Sequence, residues 1–111
     1  QENALRNGIK NCDFVCGDVA DILPAQVVDG NRPDVVTVNP PRAGVLPSVI
    51  DNICLASPKR IVYISCNAET LARDLVHFNR CGYRIKTVQP VDMFPQTPHV
   101  EVVVKLEPRV R

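Results

Sequence analysis

Cys66 is the residue of this chain whose type and position most directly suggest chemistry, because a cysteine thiolate is a strong nucleophile. It follows the apolar segment 61–64, whose β-branched residues predict a buried strand. A helical pattern begins directly after it, and the partial positive charge of a helix start favours a thiolate. The alternative is that Cys66 is a small buried hydrophobic residue, as free cysteines often are. Position alone leaves both interpretations open.

The elements that must position Cys66 alternate along the chain. Apolar runs predict strands at 11–16, 34–38, 60–65, 83–89 and 100–106. Helical patterns cover 2–7, 19–28 with an interruption at Pro24, 47–56 with Pro47 at its first position, and 68–80. This alternation predicts an α/β fold with a parallel sheet. The last two strands are joined by a loop without a crossover helix, so we expect them to pair antiparallel as a closing hairpin.

Four polar or reactive side chains are then predicted to lie along one edge of the sheet. Asp18, Asn39 and Cys66 each directly follow a predicted parallel strand. The last strand runs in the opposite direction, so Glu101, near its beginning, lies at the same edge. Ligands of open α/β sheets bind at the carboxyl ends of the strands. Each residue alone is also consistent with a solvated loop, but their convergence favours a site.

Two consecutive prolines follow the strand at 34–38, in the tripeptide Asn39-Pro40-Pro41. Each proline fixes the backbone and removes an N–H donor. The result is a rigid wall with exposed carbonyl groups, which suits a flat ring. A stiff turn between strand and helix is the alternative interpretation.

Composition limits the classes of protein. The formal net charge is +1, so no strong field attracts nucleic acid. If RNA is the substrate, much of the binding to its phosphates must lie outside this chain. The five cysteines have neither the spacing of a zinc site nor that of a disulfide framework, so we predict no metal and a reducing, cytoplasmic setting. No segment is long and apolar enough to span a bilayer. The chain opens at Gln1 within a helical pattern, which predicts a piece of a longer protein.

Three segments resemble the RNA uracil-5-methyltransferases. They are Asn-Pro-Pro-Arg-Ala-Gly at 39–44, Tyr-Ile-Ser-Cys-Asn-Ala-Glu-Thr-Leu-Ala-Arg-Asp at 63–74 and Asp-Met-Phe-Pro-Gln-Thr-Pro-His-Val-Glu at 92–101. The resemblance implies a Rossmann-like class I methyltransferase fold. It also implies transfer of a methyl group from S-adenosyl-L-methionine to C5 of a uridine in RNA. The residues at 92–101 are closer to the ribosomal RNA (23S) branch than to the tRNA branch.

The resemblance also implies roles for the four edge residues. Cys66 would add to C6 of the uracil ring, and Glu101 would remove the C5 proton. Asp18 and Asn39 would contact the methyl donor, with Asp18 near the adenosine. The family usually has Asp at the position of Asn39. Asparagine keeps the size and an acceptor oxygen but loses the charge, which puts donor affinity at this position in doubt.

By this resemblance, residues 1–111 are the C-terminal part of a catalytic domain. Its first two strands, with their glycine-rich turn, and its RNA-binding region would precede Gln1. Those strands would lie between the strands at 11–16 and 34–38, and without them the strand at 34–38 has a bare hydrophobic edge. We therefore expect the 111 residues alone to bind the methyl donor weakly and to have little or no activity.

Two other functions stay open. Asn-Pro-Pro followed by an aromatic residue is typical of amino-methyltransferases, although here Arg42 takes the aromatic position. The second alternative is a non-catalytic RNA-binding domain. Arg42 and Arg73 could contact phosphates, but positions on the surface or on a helix face are the simpler interpretation for both.

Overall fold

The fold was obtained as a computed structural model that describes residues 3, 6–30, 32–92 and 100–109. In chain order the elements are α1 (Val19–Val28), β1 (Val35–Val38), α2 (Pro47–Leu55), β2 (Arg60–Ser65), α3 (Ala68–Arg80), β3 (Tyr83–Val91) and β4 (Glu101–Pro108). The predicted helices at 47–56 and 68–80 and the last four predicted strands are thus confirmed within a few residues. Of the predicted helix at 2–7, Asn3 and Arg6 are helical.

The four strands form one mixed sheet in the order β1-β2-β4-β3. β1 and β2 are parallel, whereas β4 lies antiparallel between β2 and β3. The predicted closing hairpin is therefore confirmed, and its second strand also pairs with β2. Ser65 at the end of β2 lies opposite Val102 near the start of β4. The carboxyl ends of β1 and β2 and the beginning of β4 consequently share one edge of the sheet, as the sequence predicts.

One continuous hydrophobic core holds the helices against this sheet. β2 alternates, with Ile61 and Tyr63 buried, as expected of residues two apart on a pleated strand. α3 buries Leu71, Asp74 and Phe78, which lie on one helical face at intervals of three and four. Apolar residues of α2, β3 and β4 complete the same cluster. This packing fixes where α3 begins, and therefore where the residues just before it lie.

The predicted strand at 11–16 is wrong. Residues 12–16 have no strand conformation, and Phe14 and Val15 are 52% and 60% exposed. A strand is stabilised by hydrogen bonds to a neighbouring strand, and no described residue pairs with this segment. Apolar composition alone therefore does not produce a strand here.

The predicted interruption of the first long helix at Pro24 is also wrong, because α1 runs through Pro24 from Val19 to Val28. Proline inside a helix removes one backbone hydrogen bond. Here the helix start is capped by the Asp18 side chain, and Val27 near the other end is buried. The cap and the burial maintain the helix on both sides of the proline. None of the described helices is long and apolar enough to cross a membrane.

Candidate active site

Asp18 and Asn39 line the same groove at the carboxyl edge of the sheet, with a volume of about 490 Å³. The Asp18 carboxylate accepts a hydrogen bond of 2.9 Å from the Ala20 N–H and so caps α1. Pro40 and Pro41 form part of the wall beside Asn39. The remaining lining is mostly apolar and comes from α1, β1, α2 and the loop before α2, including Leu23, Val36, Val38, Val45, Val49 and Ile53. The groove therefore combines two polar side chains with an apolar wall.

Cys66 lies in a tight turn between β2 and α3, and its side chain is exposed. The Ser65 hydroxyl spans this turn, because it donates to the Asn67 carbonyl at 2.8 Å and accepts from the Asn67 N–H at 3.0 Å. Asn67 in turn caps α3 by accepting from the Glu69 N–H at 3.0 Å. The turn is thus fixed on both sides of the thiol. The alternative that Cys66 is a buried hydrophobic residue is wrong.

The Cys66 side chain lines a second cavity of about 540 Å³. Its other lining residues come from three places, namely the loop after β1, the start of α3 and the start of β4: Arg42, Asn67, Ala68, Glu69, Val100 and Val102. Glu101 is the first residue of β4, is half-buried and pairs with Val91 of β3. Both of its chain neighbours line this cavity, but Glu101 itself does not. The structure therefore brings the start of β4 to Cys66 without placing the Glu101 side chain in the same lining.

The loop at 39–46, which separates the two cavities, is held by a buried carboxylate. Asp74 is only 2% exposed, and its Oδ2 accepts hydrogen bonds from the Val45 N–H at 2.8 Å and from the Tyr63 hydroxyl at 2.6 Å. Its Oδ1 accepts from the Arg73 guanidinium at 3.0 and 3.1 Å. A buried charge is tolerated only when it is paired and hydrogen-bonded in this way. Burial and the bond to Asp74 raise the pKa of the Tyr63 hydroxyl, which therefore stays protonated and can donate at neutral pH.

Three further side chains of α3 and its cap hold the carbonyl groups of the same loop. Thr70 and Asn67 donate to the Arg42 carbonyl at 2.9 and 3.2 Å, and Arg73 donates to the Ala43 carbonyl at 2.7 Å. We call these three residues, with Tyr63 and Asp74, the loop clamp. Arg73 is thus engaged by contacts within the chain, which the simpler interpretation of a surface or helix-face arginine does not specify. The clamp joins the segments 39–44 and 63–74, two of the three that resemble the RNA uracil-5-methyltransferases, into one rigid unit.

Sequence reasoning missed the loop clamp, although one signal for it is present. Asp74 occupies a position on α3 that the helical period assigns to the buried face, between Leu71 and Phe78. A carboxylate at a core position needs buried donors, and a tyrosine on the preceding strand is a natural one. Which backbone groups it also holds depends on the path of the loop, which the pattern does not specify.

Gly44 is the point where the clamp and the loop lie closest, and it gives a direct test. Gly44 has φ +80°, and a Cβ there would lie 2.5 Å from Arg73 Nη2 and 2.6 Å from Asp74 Oδ2. Gly30 has a nearly identical φ of +82° with open space around it. Both Gly44→Ala and Gly30→Ala place a side chain at a left-handed backbone position, but only Gly44→Ala displaces the loop clamp. We therefore expect Gly44→Ala to lower the free energy of unfolding by about 1–3 kcal/mol more than Gly30→Ala does. Chemical denaturation measures both variants, and equal losses would contradict the proposed tight fit.

Comparison with known proteins links this geometry to RNA methyltransferases. Residues 26–109 match the model of the family described as tRNA (uracil-5-)-methyltransferase. A protein of Porphyromonas gingivalis named an uncharacterized RNA methyltransferase is 54% identical over 106 residues, which are 94% of this chain and 23% of that protein. One of the same name from Bacteroides thetaiotaomicron is 53% identical over 108 residues, which are 96% of this chain and 24% of that protein. The chain therefore spans about a quarter of the length of these relatives.

Solved structures agree with the sequence comparison. The tRNA (uracil-54, C5)-methyltransferase of Pyrococcus abyssi, in complex with S-adenosyl-L-homocysteine, superposes with a TM-score of 0.77 at 36% identity, over 95% of this chain and 24% of that one. The M1.HpyAVI–SAM complex superposes with a TM-score of 0.72 at 14% identity, over 87% of this chain and 53% of that one, which shows likeness of fold alone. The predicted Rossmann-like methyltransferase fold is confirmed. The chain belongs to the tRNA (uracil-5-)-methyltransferase family.

Proposed function

We propose that the complete protein methylates C5 of a uridine in RNA, with S-adenosyl-L-methionine as the donor and Cys66 as a covalent nucleophile. The observation that carries this proposal is the exposed Cys66 thiol at the carboxyl edge of the sheet, across one loop from an apolar groove. Pro40 and Pro41 face that groove, whereas Arg42 of the same loop lines the Cys66 cavity. Donor and acceptor would thus bind on opposite sides of the loop that contains Pro40, Pro41 and Arg42.

The groove fits the methyl donor in its chemistry. Its volume of about 490 Å³ lies in the range of roughly 300–1,000 Å³ that is usual for small-molecule sites. Its apolar wall can bury a flat base, while Asp18 and Asn39 offer polar contacts to the ribose or the amino acid part. Because Asn39 carries no charge, it can hold the donor only through hydrogen bonds of its amide. When bound, the donor supplies an electrophilic methyl group.

The chemistry explains why a thiol and a carboxylate are needed together. C5 of uracil is a poor nucleophile until the Cys66 thiolate adds to C6 and converts C5 into an enolate carbon. The new carbon–carbon bond at C5 then forms as the methyl group leaves its sulfur. The C5 proton must next pass to a base, for which we propose Glu101. The returning electron pair expels Cys66 from C6 as thiolate, so the enzyme is restored.

The strand register supports Glu101 for this role. Ser65 lies opposite Val102 in the β2–β4 ladder. Cys66 and Glu101 each lie one residue beyond this pair, toward the carboxyl edge of the sheet. Their shared position at that edge supports the proposal that Glu101 is the base.

For the RNA we propose ribosomal RNA in preference to tRNA, on the residues at 92–101. Residues 93–99 of that segment lie outside the described part of the chain. The Pyrococcus abyssi structure is that of a tRNA methyltransferase, so both substrates belong in the test. The five free cysteines fit a reducing, cytoplasmic location, which we propose as the compartment of the reaction.

The test uses the full-length protein with three substrates, namely ribosomal RNA, tRNA and RNA that contains 5-fluorouridine. We expect mass spectrometry of digested ribosomal RNA to give C5-methyluridine, because only that product uses the thiol and the carboxylate. Fluorine at C5 cannot leave as a proton does, so the fluorinated RNA should remain covalently attached to the peptide that contains Cys66. An N-methylated nucleoside without an adduct would support an amino-methyltransferase instead. C5-methyluridine in tRNA alone would reverse the choice of substrate.

A further inference from the structure

Three side chains with metal-binding atoms meet between α2 and α3, away from the carboxyl edge of the sheet. His77 Nε2 lies 2.7 Å from Asp51 Oδ1, and Cys81 Sγ lies 3.8 Å from the same oxygen. The ligand atoms of these three residues all lie within 4.8 Å of one another. The helices bring them together, since Asp51 belongs to α2, His77 to α3 and Cys81 caps the end of α3.

Cys54, on the same helix as Asp51, offers a further sulfur donor. It lies three residues after Asp51 on α2, so both side chains point to the same side of the helix. Burial, together with interactions with Cys81 and with the negative charge of Asp51, raises the pKa of the Cys54 thiol to about 12. On the other helix, the Cys81 thiol reaches the Asp51 carboxylate from 30 positions away in the sequence. The sequence spacing gives no sign of this contact, which the packing of α2 on α3 creates.

We propose that Asp51, Cys54, His77 and Cys81 form a structural zinc site that joins α2 to α3. Two thiolates, one imidazole and one carboxylate are ligands that Zn²⁺ accepts, and four protein ligands close a tetrahedral shell. Thiolates exclude Mg²⁺ and Ca²⁺, which take oxygen ligands. On α2, Asp51 and Cys54 lie about one turn apart. On α3, His77 lies in the last turn and Cys81 is the cap that follows it, so one ion would connect the two helices.

The distances require only a small adjustment. Bonds of roughly 2.0–2.3 Å to a tetrahedral zinc separate the ligand atoms by roughly 3.3–3.8 Å. The observed 3.8 Å between Cys81 Sγ and Asp51 Oδ1 already lies in this range. The His77–Asp51 hydrogen bond must open, and the exposed Asp51 side chain, at 63% accessible, is free to move. That exposed side also gives the ion an entrance.

The site is too far from Cys66 to take part in the reaction. α3 begins at Ala68 and ends at Arg80, and its rise of 1.5 Å per residue separates the two ends by about 18 Å. The ion would instead hold the carboxyl end of α3 against α2. Binding converts two thiols into thiolates and releases two protons to solvent, so affinity should rise with pH.

The first experiment needs no variant. The full-length protein, stripped of metal by a chelator and kept reduced, is alkylated with and without added Zn²⁺, and each cysteine is quantified by mass spectrometry. We expect zinc to protect Cys54 and Cys81 while the exposed Cys12 and Cys16 react equally in both samples. Equal alkylation of Cys54 and Cys81 in the two samples would overturn the proposal, as would a Cys54–Cys81 disulfide that excludes the metal.

The second experiment assigns the ligands by Co²⁺ titration, which reports thiolate coordination through charge-transfer absorption. We expect the Cys81→Ser and His77→Gln variants to lose one bound cobalt per chain, or to lose affinity for it. The loss of affinity should exceed the roughly 10–100-fold loss that removal of an outer-shell partner causes. The Cys12→Ser control should bind as the unmodified protein does. His77→Gln keeps a polar side chain at a half-exposed position, which protects the test from failure to fold. Unchanged cobalt spectra in both variants would show that the ion binds elsewhere. Neither readout depends on methylation.

Discussion

Replacement of Cys66 by alanine is expected to abolish both methylation and the covalent adduct with 5-fluorouridine RNA. Without the sulfur no bond to C6 can form, and C5 of uracil keeps its poor nucleophilicity. The loss should appear in the rate of the chemical step and not in donor binding, because the groove that contains Asp18 and Asn39 does not include Cys66. Methyl transfer to RNA by Cys66→Ala, with the donor saturating, is the measurement.

The control for this variant is Cys12→Ala, which removes another exposed thiol. Substitutions at exposed positions usually change stability by no more than about 0.5 kcal/mol, so both variants should unfold at the denaturant concentration of the original protein. Loss of activity in Cys66→Ala, together with full activity in Cys12→Ala, would show that methylation depends on the Cys66 sulfur. If Cys66→Ala still methylates C5, the covalent mechanism is wrong, whatever the family resemblance implies.

The residues that lie at the carboxyl edge of the sheet were predictable from sequence, because hydrophobic periodicity and strand topology determine them. Apolar runs that end at Val38 and Ile64, with helical patterns after them, indicate parallel strands whose carboxyl ends meet. Pro47 at the first position of α2 and Asn67 as the cap of α3 fix the two helix starts by local chemistry alone. The placement of Asn39 and Cys66 at one edge follows from these features and needs no knowledge of side-chain contacts.

The contacts between elements could not be predicted in the same way. Residues 12–16 have a strand-like composition, but a strand also requires a hydrogen-bonded neighbour, which composition does not report. Asp74 and Gly44 meet because the loop after β1 turns back over α3, and a residue spacing of 30 carries no periodic signal. The same is true of Asp51 and Cys81. Contacts of this kind depend on packing between elements, which the sequence specifies only through the whole fold.

Glu101→Gln is expected to separate methyl transfer from product release. The amide keeps the shape of the side chain but cannot accept the C5 proton, so the methylated ring should stay attached to Cys66. Loss of a positioned base costs about 10²–10⁴-fold in rate, and we expect turnover to fall by that factor. A protein–RNA adduct that resists denaturing electrophoresis should accumulate with natural uridine, and its base should already carry the methyl group.

Glu107→Gln is the matched control, because Glu107 belongs to the same strand, is similarly half-buried and lies six residues further on. An even separation keeps both side chains on the same face of β4. Glu107 lies at the far end of the strand from the carboxyl edge, where its carboxylate is 3.9 Å from both Arg60 and Lys105. The control should turn over as the original protein does. If Glu101→Gln also turned over normally, another group must remove the proton. If Glu101→Gln were inactive and formed no adduct, Glu101 would act before methyl transfer. Its assignment as the base would then be wrong, whereas the role of Cys66 would still be tested by Cys66→Ala.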